Sequence, residues 1–155
     1  MVRVDVIPAK PEHARSFAAL LRPADLAECV AEGYADGETA LEDALGGSDA
    51  SWLVLFDGKP AAMYGVGPFR PARLGGAIVW VLTTSEVERA PMTFFRESKR
   101  ILAELLERHA WLGNLVDANY HCAIRWLSAL GFTIGLPAPH CDTGALFCPA
   151  TIRRA

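Results

Sequence analysis

Apolar and charged or polar positions alternate from Val2 to Ile7, the period of a half-buried strand, and Pro8 and Pro11 end it. From Glu12 to Leu21 the spacing turns helical, with Phe17, Leu20 and Leu21 on one side. Pro23 suits the first position of a second helix, where a missing N–H costs nothing. That helix is expected to turn Leu26, Val30 and Tyr34 inward. Gly33 and Gly37 loosen the chain, and Glu38 to Leu45 gives one more helical piece, closed by Gly46-Gly47-Ser48. Trp52 to Phe56 and Ala61 to Val66 read as strands joined at Asp57-Gly58, since a type I′ turn needs positive φ at both central residues. Gly67 to Gly76, with two prolines, is expected to be a loop.

Ala77 to Leu82 is apolar throughout, which fits a central strand covered on both faces. Thr83 to Ala90 is polar, and Pro91 opens the best-marked helix in the chain. Phe94, Phe95, Ser98, Ile101, Leu102, Leu105, Leu106 and His109 share one of its faces. Trp111 to Val116 is a further strand. Tyr120 to Leu130 is a short helix stopped by Gly131, a residue suited to the left-handed C-terminal position. Phe132 to Leu136 and Ala145 to Ile152 read as two final strands. A long helix between two strands implies a right-handed crossover and a parallel pair inside a mixed sheet. The fold class is therefore α/β.

The 155 residues suit one domain spanning 1–155. With 52% hydrophobic and 21% charged residues the chain is too apolar to be disordered. A net charge of −3 argues against a nucleic-acid partner. No apolar run approaches the length of a membrane span, and Asp5 in the first residues does not fit a secretory signal. A cytoplasmic protein is expected. Cys29, Cys122, Cys141 and Cys148 form no C-x-x-C pair and read as reduced, mostly buried thiols. His121-Cys122 and His140-Cys141 are two His-Cys dipeptides that could converge on a metal, but zinc ligands sit at wider spacings, and no metal site is expected.

The segment from Asp117 to Phe132 carries Ala123-Ile124-Arg125-Trp126 followed by Leu130-Gly131-Phe132. Together with the order of elements, it resembles the GNAT superfamily of N-acetyltransferases. More narrowly, Arg22-Pro23-Ala24-Asp25-Leu26-Ala27-Glu28, Asp57-Gly58-Lys59-Pro60-Ala61-Ala62 and Ile124-Arg125-Trp126-Leu127 resemble small GNAT-like proteins of tailed bacteriophages. The resemblance implies a central twisted mixed sheet of about six to seven strands with helices on both faces. It implies acetyl-CoA as co-substrate, its pantetheine arm held between Val79–Thr83 and Leu112–Val116, with Val81, Leu82, Thr83, Arg89 and Asn119 as cofactor-binding residues. Glu86, Asp117 and His121 are the candidate catalytic residues, placed at strand ends.

Three positions depart from the family pattern. The phosphate-binding signature R/Q-x-x-G-x-G/A has no counterpart in Thr84 to Thr93, which holds no glycine and has Pro91 in place of one N–H donor. The tyrosine that often protonates the leaving thiolate is replaced by Leu127, and Ser128 and Tyr120 are expected to face other ways. Asn119 stands four residues before Ala123, with Tyr120 at the usual Asn place. Two functions follow. One is acetyl transfer to an amine of a small molecule or host protein. The other is a catalytically degenerate GNAT-fold protein that binds and modulates a bacterial host protein, in the host cytoplasm if phage-encoded. The final strands could pair two copies into a homodimer.

Overall fold

Asp57 and Gly58 take φ of 50° and 80°, the pair of positive values that folds two strands back on each other. The computed structural model describes residues 1–69 and 75–155. Around this turn, β2 (Ala50–Phe56) and β3 (Lys59–Pro68) pair antiparallel. β1 (Val4–Pro8) joins β2, and β4 (Gly76–Thr83) joins β3, both antiparallel. Three helices separate β1 from β2: α1 (His13–Ala18), α2 (Pro23–Ala31) and α3 (Gly37–Gly47). α4 (Glu86–Arg89) and α5 (Pro91–Arg108) then carry the chain back so that β5 (Trp111–Asp117) lies parallel to β4. After α6 (His121–Leu130) come β6 (Thr133–Ile134), β7 (Ala138–Pro139) and β8 (Leu146–Arg153). β8 pairs antiparallel with β5, β6 and β7, which completes one mixed sheet in the order β1-β2-β3-β4-β5-β8-β6.

The sheet has eight strands, one more than the upper expectation, because the two-residue β7 also pairs with β8. The strand expected from Phe132 to Leu136 is cut to Thr133–Ile134. Gly135 N–H still reaches Pro149 O at 2.7 Å, but Pro149 has no N–H to return the second bond of the pair. The polar stretch after β4 holds a four-residue helix that the pattern does not mark, anchored by buried Val87. The loop expected over Gly67 to Gly76 falls partly outside the described residues.

Helices cover both faces. On one, Phe17, Cys29, Ala40 and Leu41 pack on Leu53, Met63 and Leu82. On the other, Leu102, Leu105 and Leu130 pack on Val66, Leu112, Val116 and Ala150. Gly131, at φ 106°, ends α6 in the left-handed conformation, and Phe132 goes into the core behind it.

The expected inward face of α2 is corrected. Leu26 is 39% and Val30 54% exposed, whereas Asp25 and Cys29 are buried. Glu28 and Glu32 are half-buried on the same side of the helix. A helix that turns carboxylates rather than leucine and valine toward the sheet has something other than packed side chains beneath it.

Candidate active site

β4 and β5 are hydrogen-bonded neighbours only where they begin, with Gly76, Ala77 and Ile78 opposite Trp111, Leu112 and Gly113. Beyond that they part. A parallel ladder would next join Leu115 N–H to Val79 C=O. Instead the Asn114 carboxamide stands between the strands: its Nδ2 donates to Val79 O at 2.8 Å, and its Oδ1 accepts from Leu115 N at 2.7 Å. The side chain thus takes the place of one peptide rung. Asn114→Ala removes both bonds and is expected to cost about 1–2 kcal/mol, read from the midpoint of denaturant unfolding.

The far end of the gap is closed by α2. Asp25 Oδ2 accepts from Thr83 N at 2.8 Å and from the Thr83 hydroxyl, and Arg22 N donates to Thr83 O at 3.1 Å. On the β5 side, Glu28 Oε2 accepts from Asp117 N at 2.9 Å. Two carboxylates one helical turn apart therefore end the two diverging strands. Between these ties lies Val81. Backbone groups alternate along a strand, and Val79 and Thr83 both turn theirs toward β5, so Val81 N–H and C=O point into the gap. No protein group among the described residues bonds them.

A cavity of about 420 Å³ occupies the gap and reaches both faces of the sheet. Phe94, Ile101, Trp126 and Leu127 line it on the α5–α6 side; Asp25, Glu28, Glu32 and Trp80 line it on the α2 side. Phe94 and Trp126 stack with ring centroids 5.0 Å apart. Trp126 Nε1 is buried with no hydrogen-bond partner among the described residues.

Arg22, Asp25, Thr83 and Tyr120 form one network. Arg22 Nε donates to Thr83 Oγ1 at 2.8 Å and its Nη2 to Tyr120 Oη at 2.9 Å, while Tyr120 Oη donates to Asp25 Oδ1 at 2.8 Å. Burial, reinforced by Asp25, raises the Tyr120 phenol above its usual range. Burial also pushes the Glu28 carboxyl up to about 7; repulsion from Glu32, Asp25 and Asp117 adds to this, and the Asp117 N–H opposes it. Burial likewise pushes the Cys29 thiol up to about 12, with Glu32 adding to it. That thiol is therefore held in its neutral form.

Of the residues assigned from the sequence, Val81, Leu82 and Thr83 line the cavity. Glu86 and Arg89 pair with each other at 2.5 Å on α4, outside the lining. Asp117, Asn119 and His121 also lie outside it; Asp117 Oδ1 accepts from Asn119 N at 2.9 Å, and His121 is exposed. The structure adds Glu28, Arg22, Asp25, Asn114 and Tyr120, which the sequence did not single out as functional. Tyr120 was expected to face away. It is the residue just before α6, with φ −85° and ψ 68°, so the helical wheel does not govern its direction. A signal for the α2 carboxylates was present: Asp25, Glu28 and Glu32 fall on the same helical stripe as Cys29.

The four cysteines are unbridged; Cys29 and Cys148 are buried, and Cys122 and Cys141 are exposed, so burial is less general than expected. The two His-Cys dipeptides do not converge. Among the described residues, the grouping of potential ligands is His140, Cys141 and Asp142, consecutive in the chain and within 4.8 Å of one another. No helix among the described residues is long and apolar enough to cross a membrane.

A sheet whose fourth and fifth strands run parallel and then part, with helices on both faces, is the GNAT-like acetyltransferase architecture. Solved structures share it over nearly the whole chain. An aminoglycoside N(6′)acetyltransferase from Legionella pneumophila superposes with a TM-score of 0.73 at 9% identity, over 99% of this chain and 93% of that one. A GNAT-family acetyltransferase from Streptococcus pneumoniae gives 0.62 at 12% identity, over 99% and 100%. The ribosomal L7/L12 alpha-N-protein acetyltransferase RimL, solved in complex with coenzyme A, gives 0.66 at 8% identity, over 97% and 93%. At such low identities the superpositions show the shared fold alone. No protein-family model matches the sequence, and no curated protein matches it either.

Proposed function

We propose that this protein transfers an acetyl group from acetyl-CoA to an amine of a small molecule. The observation that carries the reading is the parting of β4 from β5, which leaves Val81 N–H and C=O directed into an open cavity. An extended amide-bearing arm can pair with Val81 as a strand would. Acetyl-CoA, when bound, supplies a thioester carbonyl carbon open to attack by an amine.

The chain's own groups divide the work between the two faces. On the α5–α6 side, Val81, Phe94, Trp126 and Leu127 offer an apolar wall, suited to excluding water from the arm. On the α2 side, carboxylates face the opening where an amine would approach. For the phosphates the assigned cation is Arg89, just before the start of α5. Its pair with Glu86 is exposed on the arginine side, and such pairs contribute little, so exchange of Glu86 for a phosphate costs little. Leu127 cannot donate a proton, so the leaving sulfur must obtain one from another source.

Calorimetric titration with acetyl-CoA and with CoA tests the reading. One-to-one binding in the micromolar range, with thermal stabilisation, is the expected result. If neither compound nor a longer acyl-CoA produces heat or a shift in Tm, the transferase reading fails and the non-catalytic host-binding reading takes its place.

A further inference from the structure

Six charged residues line the cavity: Arg22, Asp25, Glu28, Glu32, Glu88 and Glu97. One cation stands against five acids, and most of these acids are accounted for. Arg22 lies 3.7 Å from Asp25 and 3.4 Å from Glu88, and Glu97 pairs with Arg100 at 2.9 Å. Glu28 and Glu32 form no salt bridge among the described residues. Glu28 uses Oε2 to hold Asp117 N–H, and no hydrogen bond to its Oε1 is formed among the described residues. Glu32, at the C-terminal end of α2, feels the imidazole of His140 but does not contact it. The two carboxylates sit four residues apart, on one face of the helix and both toward the cavity.

We infer that the acceptor is a short diamine, with Glu32 holding one ammonium while Glu28 takes a proton from the other. This rests on the transferase reading above. An aliphatic amine resembles lysine and is protonated near neutral pH, so its nitrogen has no lone pair until a base removes a proton. Glu28 lines the cavity where β4 and β5 have parted, with one oxygen fixed by Asp117 N–H. One proton of the ammonium passes to Glu28 Oε1, and the amine nitrogen attacks the thioester carbonyl carbon. The N–C bond forms and the C–S bond breaks with its electron pair on sulfur. The amide nitrogen sheds a second proton, which ends on the thiolate, and Glu28 returns its proton to solvent. A second ammonium beside Glu32 compensates the carboxylate that otherwise repels a charged Glu28. A monoamine leaves Glu32 without that partner.

The test begins on the wild-type chain without any CoA compound. 1,4-Diaminobutane and 1-aminobutane are each titrated calorimetrically. The expected result is at least tenfold tighter binding of the diamine, a preference that Glu32→Gln removes. With acetyl-CoA present, Glu28→Gln is expected to lower transfer to the diamine at least a hundredfold while leaving acetyl-CoA affinity unchanged. Equal binding of the two amines by the wild type overturns the inference without any variant. So does a preference that survives Glu32→Gln, or a wild-type transfer rate in Glu28→Gln. Diamine preference without acetyl-CoA binding would sink the transferase reading and leave the dicationic site standing; acetyl-CoA binding without diamine preference would do the reverse.

Discussion

Replacing Asp25 by alanine is expected to lower the stability of the fold by about 3–5 kcal/mol, the range for breaking a buried charged network from one side. Asp25 is 5% exposed and receives Thr83 N–H, the Thr83 hydroxyl and the Tyr120 hydroxyl, with Arg22 beside it. Alanine leaves these donors without that acceptor, and among the described residues it leaves the partly buried Arg22 guanidinium with the exposed Glu88 alone for a counter-charge. Against a total of about 5–15 kcal/mol for a typical domain, this is a large share, and the midpoint of thermal unfolding should fall by about 10 °C. Asp25→Asn, which keeps one acceptor oxygen, is expected to lose less. A fall of under about 1 kcal/mol in Asp25→Ala would show that α2 is not tied to β4 through this carboxylate.

Glu28→Gln is expected to move stability and transfer in opposite directions. The Glu28 carboxyl rises from 4.5 to about 7 on folding, chiefly through burial. The folded state then holds a proton that the unfolded state releases. This group's contribution is fully present below about 4.5 and disappears as pH rises through about 7. The difference amounts to at most about 3 kcal/mol. Above pH 7 the protein bears a buried, ionised Glu28 facing Asp25 and Glu32 from its own helix and Asp117 from β5. Arg22 and Tyr120 lie around Asp25, and His140 beyond Glu32. Glutamine can still accept Asp117 N–H but carries no charge. Its Tm should exceed wild type by several degrees at pH 8 and match it near pH 4. Transfer by the wild type should climb with pH and reach half its plateau near 7, where Glu28 ionises. In Glu28→Gln that inflection should vanish along with the loss of rate of about 10²-fold or more that removal of a general base brings. A flat pH profile in the wild type, or an unchanged profile in the variant, would count against Glu28 as the proton acceptor.

The elements themselves were largely legible in the chain. The Asp57-Gly58 turn, the apolar run of β4, the amphipathic α5 and the Gly131 stop are local signals. Each rests on a period or a dihedral preference that neighbouring residues express together. The long helix between two strands also implied one parallel pair, and β4 and β5 form it. α2 was misread because Leu26 and Val30 look like a core stripe, yet they face solvent at 39% and 54% exposure. The hydrophobic rule assumes that a buried face meets other side chains. Here that face meets a cavity and strand ends with unsatisfied N–H groups, for which carboxylates are the better complement.

By itself, then, the sequence determined the main strands and helices, their order and the likeness to an acetyltransferase sheet, because periodicity and turn chemistry act within a few residues. Only the tertiary structure decided where β4 and β5 separate. It also decided that Asn114 would fill the first missing rung and that Asp25 and Glu28 would cap the two strand ends. Those contacts join positions from 35 to 89 residues apart. No local pattern encodes them, because each exists only after the crossover has brought β5 beside β4 and α2 has settled across the opening between them.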